Sequence, residues 1–467
     1  MSFESVAFEE SLQKTNRIIR IIGLQTDDKE SNQTFMERIW SRKFYCFFNS
    51  MLYCEFLGEI AWMVKSIMEK KFVEATYCAP CAALCLLGSA KTYYRIKYGH
   101  HINDLITSLR KLQSTDFNSS IQRSLTASEE MRNMVRKLQL AINIVTIVNV
   151  TGLVAFMCGP LTNMAFTYWM SGKVELRLPF LVMYPFNEFD LRIYPFIYIR
   201  HVIGGEYTNI VITGFIEMKT SLAALCTFCD GEKMINSRQE PDVVNSWLCF
   251  IYDMIVFLGT FALFTVFGPD CLYYTFCTYV QVQFRLLYHC LETIITPNER
   301  IRLQNGNDKY DEKFRACISR HRELIRCCNL IETVYSKSAL FNFMSSTLLL
   351  CLAGFNIMAH VDWAMFSNFL SFLFICLLQI YLICDYGDKV SRASMDLSSA
   401  IYNSQWYTVD VKTAKDLLVI LTRAQKSCKL TAYMFADINL GAFTRILSTS
   451  WSYFALLKSV YSRGGDH

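Results

Sequence analysis

Seven stretches of this chain are long and apolar enough to cross a bilayer, and polar connections separate them. They are residues 44–64, 72–91, 139–160, 247–268, 338–358, 364–384 and 436–460. A helix needs about 20 mostly apolar residues to span the hydrocarbon core. Within that core every backbone polar group must be satisfied inside the chain, which leaves helices as the simplest spanning form. The expected fold class is an all-α integral membrane protein with seven transmembrane helices. Composition agrees: 52% of the 467 residues are hydrophobic and 19% are charged, too apolar a balance for a soluble chain of this length. The start, MSFESVAFEESLQKTNRII, lacks a basic stretch followed by an apolar run. No cleaved leader is expected, and the first span serves as its own insertion signal.

Orientation follows from Lys and Arg, which accumulate on the cytoplasmic side. Most of the 46 Lys and Arg residues fall in the N-terminal segment and in the connections after the second, fourth and sixth spans. That places the N-terminus in the cytoplasm and the C-terminus outside, opposite to a G-protein-coupled receptor. The sequons agree: Asn32 and Asn118 fall on the cytoplasmic side, Asn149 falls in a span, and none falls outside. Residues 1–43 then form a cytoplasmic segment. Residues 44–160 carry the first three spans with their cytoplasmic loop, and residues 161–246 a long extracellular loop. Residues 247–467 carry the last four spans with cytoplasmic helical extensions.

Those extensions are patterned. Phe314, Cys317, Ile318, His321, Leu324, Ile325, Cys328 and Ile331 make a helical apolar stripe before the fifth span, and Ala414, Leu417, Leu418 and Leu421 make one before the seventh. Each needs a surface to bury against, either in its own subunit or in a neighbouring one. Of the 19 cysteines, most lie in apolar runs, where they behave as small hydrophobes. Cys327-Cys328 lies in a basic segment on the cytoplasmic side, where disulfides are not expected.

Catalytic patterns are missing: there is no GxSxG, no HExxH and no phosphate loop. His100-His101 and His321 have no metal-ligand spacing around them, so neither a cofactor nor a metal is expected. The Lys and Arg runs mark the cytoplasmic face of a membrane protein and not a nucleic-acid patch. Ionisable groups do fall within spans: Glu55, Glu59, Asp253, Asp437 and Arg445. Such groups are costly in a membrane, and they either serve an ion path or ligand or reach a buried partner or the interface. The outer halves of the second, third, fourth and sixth spans are rich in aromatics, with Tyr77, Phe156, Tyr252, Phe257, Phe366, Phe369 and Phe372 among them. Aromatic side chains with a few hydroxyls suit a pocket for a small apolar molecule; equally, such residues face lipid or pack between helices.

The last span carries Thr444, Ser448, Ser452, Ala455 and Ser459 at spacings of three and four, on one face of a helix. Ile446, Leu447, Trp451, Phe454 and Leu457 take the other faces. A small hydroxyl-bearing stripe lets another helix pack closely or lines a narrow wet path for ions.

Three stretches carry a resemblance to a known family. The final ILSTSWSYFALLKSVYS, the run FGPDCLYYTFCTYVQVQFRLLYHCLETI from Phe267, and the LPFLVMYPFNEFDLRIYPFIY segment resemble the insect odorant receptors, the last especially those of moths, whose pheromone receptors it resembles. Ser452-Tyr453 without a downstream Gln-Phe separates the chain from the related gustatory receptors. The resemblance implies the tuning subunit of a ligand-gated cation channel in an olfactory neuron's dendritic plasma membrane. It implies a heterotetramer with the shared odorant co-receptor that responds to a small hydrophobic volatile. It makes Tyr77, Phe156, Tyr252, Phe257 and Phe366 candidate ligand contacts and makes Thr444, Ser448 and Ser452 candidate pore-lining residues. Residues 202–246 depart from the family's spacing and read as an insertion. The competing reading is a metabotropic seven-helix chemoreceptor signalling through a G protein. The charge orientation and the lack of Asp-Arg-Tyr and Asn-Pro-x-x-Tyr motifs stand against it.

Overall fold

Each of the seven expected spans falls on a helix, and four of those helices are far longer than a bilayer crossing needs. The computed structural model describes residues 3–21, 24, 43–69, 71–114, 125–171, 242–293, 308–359 and 363–464. Its helices are α1 (Phe3–Ile21), α2 (Lys43–Met68), α3 (Phe72–Lys97), α4 (Gly99–Ser114), α5 (Leu125–Ser171), α6 (Asp242–Thr293), α7 (Asp308–Ala359), α8 (Trp363–Asn403), α9 (Val411–Ala424) and α10 (Leu440–Gly464). Helices α5 to α8 are 47, 52, 52 and 41 residues long. At 1.5 Å per residue they measure about 60–80 Å, roughly twice the hydrocarbon thickness. The extension expected before the fifth span is therefore continuous with that span in α7, whereas the one expected before the seventh is a separate helix, α9. Among the described residues, Lys313–Ala359 and Phe369–Asn403 each contain a window apolar enough to cross a membrane by length and composition. The expected insertion at 202–246 lies almost entirely outside the described residues, as does most of the 161–246 loop.

Helix α6 is the axis of the bundle. Its residues 264–280 are buried on every side, which a helix apolar all round requires. It touches α1, α3, α5, α7 and α8. Gly88 of α3 lets the two backbones close up: an added Cβ there would lie 2.2 Å from Thr265 Oγ1. The polar N-terminal segment contributes α1, which packs onto α6 through Phe8 against Tyr279, ring centroids 4.8 Å apart. Beside that contact, Ser11 Oγ lies 3.1 Å from Tyr279 Oη and Thr15 Oγ1 lies 3.2 Å from Thr275 Oγ1.

The stripe expected on α7 buries within the same chain. Phe314, Cys317, His321, Leu324, Cys328 and Ile331 are all in the core, whereas Ile318 is exposed. On α9 the buried line is Thr413, Leu417, Ile420 and Ala424, and Leu418, expected on that line, is exposed. The helical period places Leu418 about 100° from Leu417, so the stripe's centre falls toward Ile420.

The seventh span begins later than its hydropathy suggests. Residues Thr431–Ala432 and Ala436–Asp437 form a two-stranded antiparallel hairpin, with Thr431 opposite Asp437 and Ala432 opposite Ala436. Tyr433 and Met434 turn it with φ of 50° and 58°, and Thr431 Oγ1 accepts the Met434 N–H at 3.0 Å. Asn439 then caps α10, its Oδ1 accepting the Ala442 N–H at 2.9 Å. Asp437 consequently sits in a strand, not a membrane helix, and pairs with Lys429 at 2.7 Å.

Candidate functional site

Helix α10 touches its own chain through α7 and α8 alone among its closest helical neighbours. Ala442, Ile446 and Ser450 are buried, and Phe443, Leu447, Phe454 and Leu457 are half-buried. Phe454 lies over Gly354 of α7, where an added Cβ would come within 3.5 Å of its ring. Phe443 meets Tyr381 of α8 and Tyr461 meets Phe355 of α7, both edge to face at 5.7 and 5.4 Å. Thr444, Ser448, Ser452, Ala455 and Ser459 are all exposed. At about 100° per residue they centre roughly opposite the buried line. The stripe therefore does not serve packing inside this subunit. Thr444 Oγ1 donates to Gly441 O at 2.9 Å and Ser452 Oγ to Ser448 O at 3.0 Å. With those protons turned back into the helix, the oxygens present lone pairs outward.

The root of α10 is anchored in a second, polar site. Lys91 of α3 reaches Asp270 of α6 at 2.7 and 2.8 Å, and Gln379 Nε2 of α8 donates to the same carboxylate at 2.7 Å. Lys91 and Asp270 are 3% and 6% exposed, so three helices are joined by a desolvated pair that requires all its partners. Beside it lies a cavity of about 20 Å³ lined by Tyr273, Tyr335, Ser338, Asn342 and Ile438 among others, on the scale of a single water molecule. Asn342 is 1% exposed, and among the described residues neither end of its amide has a hydrogen-bond partner. Ile438 belongs to the segment entering α10. Its carbonyl oxygen approaches α8 at Gly387, where an added Cβ would lie 2.5 Å from it and 3.0 Å from Tyr273 Oη. Only glycine permits that approach without a shift.

The hairpin before α10 is fastened along one face of α7. Glu332 accepts the Thr431 N–H at 2.6 Å on Oε2 and the Thr431 hydroxyl on Oε1. One turn on, Ser336 Oγ accepts the Tyr433 N–H at 2.8 Å.

Of the expected ligand contacts, Phe366 is half-buried on α8, with Phe369 buried one turn along. Tyr77, Phe156, Tyr252 and Phe257 occupy α3, α5 and α6, and their side chains lie outside the described residues. Helix α6 contacts α3, α5 and α8, so the candidate positions fall on neighbouring helices. Glu59 is buried on α2 and Arg445 is exposed on α10, while the side chains of Glu55 and Asp253 are not described. Sequence reasoning missed Lys91, Asp270, Gln379, Asn342 and Gly387. The signal was present in part: a Pro269-Asp270 pair inside an apolar run, and a single lysine ending another.

A family model described as 7tm Odorant receptor matches residues 237–451, which include α6 to α9 whole and the first part of α10. The chain is 34% identical to odorant receptor 85b of Drosophila melanogaster over 34% of its own length and 41% of that protein. It is 24% identical to odorant receptor 85c of the same fly over 67% of its length and 82% of that protein. The strongest alignments thus span about two fifths of the length of the curated relatives they match. The fold is that of the insect olfactory receptor OR5 from Machilis hrabei, solved in complex with eugenol. The two superpose with a TM-score of 0.67 at 13% identity, covering 98% of this chain and 100% of that one.

Proposed function

We propose that this chain is an insect odorant receptor, the tuning subunit of a ligand-gated cation channel that opens on a small uncharged volatile together with the shared co-receptor. The observation that carries this reading is the outward stripe of α10. A membrane helix with one face on its own chain and hydroxyl oxygens on the opposite face is suited to line a path shared with other subunits. Lone pairs directed outward favour cations. The exposed apolar residues of the cytoplasmic layer, among them Val411, Leu418 and Val419 of α9 and Met434 and Phe435 of the hairpin, support burial against neighbouring subunits.

The proposed orientation has Met1 inside and His467 outside. Ligand would then bind among the outer halves of α3, α5, α6 and α8, with Tyr77, Phe156, Tyr252, Phe257 and Phe366 around it. Because α8 carries both Phe366 and Gly387, a displacement at the pocket reaches the root of α10 through one rigid helix. Thr444, Ser448 and Ser452 then meet the permeating ions. The likeness to a receptor solved with eugenol supports a small-molecule site, and an apolar pocket discriminates by shape and length. Burial contributes about 0.8 kcal/mol per CH₂, or roughly fourfold in affinity per methylene.

The test is current recording in cells expressing this chain with and without the co-receptor, using homologous series of esters and alcohols. The expected result is a cation current that requires both chains and keeps its onset when intracellular GTP is replaced by GDPβS. A response abolished by GDPβS would overturn the channel reading in favour of G-protein signalling.

A further inference from the structure

Five of the expected spans bring one end each to a single point. Lys91 closes the second, Asp270 and Tyr273 follow the fourth, Asn342 opens the fifth, Ile383 nears the end of the sixth and Ile438 enters the seventh. All of them line the cavity of about 20 Å³, and every lining residue but Tyr335 is buried. The polar groups around it are not used up. Asn342 has no partner at either end of its amide among the described residues. Lys91 gives N–H groups to both Asp270 oxygens, and an ammonium carries a third. Tyr273 Oη reaches Ile383 O only at 3.4 Å, long for a hydroxyl donor, so its oxygen is open to a better partner. Groups buried in this way are ordinarily completed by internal water. The occupant's properties follow from the walls. It is no larger than one water molecule. It both donates and accepts, because the Asn342 amide calls for each. It is uncharged, since Lys91 repels a cation and Asp270 an anion.

We propose that this cavity binds one water molecule, which joins the Asn342 amide of α7 to the Lys91–Asp270 pair, and that the segment entering α10 seals it in. Ile438 is the wall that belongs to that segment. Its carbonyl oxygen lies close to Gly387 of α8 and is the tightest approach between the two elements there. When the root of α10 moves away from α8, one wall of the water site moves with it. The water is therefore held in the resting receptor and exchanges with the cytosol when α10 moves. This second step rests on the channel reading of α10, whereas occupancy of the site does not. Replacing Asn342 by Leu keeps roughly the side-chain volume and removes both polar ends, so the site loses the partner that calls for water. Replacing it by Ser keeps a group that donates and accepts.

The chain supplies its own comparison. Tyr273, 3% exposed, lines the cavity, whereas Phe276 and Tyr279, 0% and 1% exposed on the same helix, do not. The full chain with its co-receptor, in lipid nanodiscs, is exposed to a brief X-ray pulse, and oxidised residues are located by peptide fragmentation. Radicals formed from a bound water oxidise the side chains beside it, while dry buried rings stay unmodified. The expected result is labelling of Tyr273 several-fold above Phe276 and Tyr279. Asn342→Leu should lower it to their level at unchanged surface density, and Asn342→Ser should keep it. Equal labelling of the three aromatics in the unsubstituted receptor would overturn the proposal, and this comparison decides even where Asn342→Leu fails to reach the surface. Undiminished Tyr273 labelling in a well-folded Asn342→Leu would also overturn it. Rapid mixing into ¹⁸O-water before the pulse reads exchange. With an activating ester the oxygen added to Tyr273 should become ¹⁸O several-fold sooner than without it. An unchanged exchange time in a receptor that conducts would overturn the part given to Ile438. A receptor that signals through a G protein instead would remove the channel reading and leave the occupancy result standing.

Discussion

Helices α6 and α10 are both apolar helices interrupted by hydroxyls and charge, yet the molecule uses them in opposite ways. In α6 several polar groups turn inward and are met by the same chain. Asp270 is held by Lys91 and Gln379, Tyr279 by Ser11, and Thr275 by Thr15 and by Cys271 O at 2.8 Å. In α10 the polar stripe turns outward, while Trp451, Leu456 and Val460 are exposed at 71%, 64% and 58%. One chain completes α6; it covers only one side of α10. The contrast shows that a polar residue in a membrane helix says little until its partner is located. A matched group stabilises the subunit, and an outward one is available to something outside it.

The largest expected effect comes from breaking α6's self-sufficiency. Asp270→Ala leaves the ammonium of Lys91 buried without its carboxylate, which costs about 3–5 kcal/mol against a total stability of roughly 5–15 kcal/mol. Surface biotinylation should show most of the receptor lost. The paired change Lys91→Met with Asp270→Leu should recover much of it, because the penalty lies in the orphaned charge. Wild-type surface density for Asp270→Ala alone would show that α6 does not depend on this pair.

An intermediate effect is expected where the two helices' surroundings meet. Gly387→Val places a branched side chain where a single Cβ already comes within 2.5 Å of the Ile438 carbonyl. Overpacking of this kind costs about 1–3 kcal/mol. Surface density should fall modestly while evoked current per surface receptor falls tenfold or more, since the root of α10 is displaced. Equal losses in density and current would assign Gly387 to folding alone.

The smallest effect belongs to the open side of α10. Ser452→Ala removes a hydroxyl that bonds only its own helix among the contacts described, so stability should change by no more than about 0.5 kcal/mol. Thermal unfolding in detergent should be unchanged, and single-channel conductance should shift by a fraction. A marked drop in melting temperature would place Ser452 in a helix contact.

The contrast also explains what the sequence could disclose. Spans were legible because bilayer thickness forces a run length on each of them, and all seven fall on helices. The α7 stripe was legible because Phe314, Leu324 and Ile331 follow one helical period on one buried face. The start of α10 was not: residues 436–439 stand at the head of an apolar run and read as helix, and only the Asn439 cap and the hairpin's pairing set the boundary. Lys91 and Asp270 lie far apart in sequence, one ending an apolar run and the other inside a second, and nothing local pairs them. The Thr444, Ser448 and Ser452 stripe was visible as a stripe, but its direction depends on where α7 and α8 lie. The pocket residues Tyr77, Phe156, Tyr252 and Phe257 remain proposals from aromatic composition and family likeness.

The central claim is that the outward face of α10 lines the conduction path. The direct test is cysteine substitution at Ser448, outward, and at Ser450, 5% exposed against the subunit's own helices, each expressed with the co-receptor. A membrane-impermeant cationic methanethiosulfonate is applied from outside, with and without odorant. The account predicts that Ser448→Cys is modified faster when odorant is present, with a lasting loss of current, while Ser450→Cys and the unsubstituted receptor keep theirs. An unreactive Ser448→Cys in an open channel of normal surface density, or equal reaction at both positions, would contradict it.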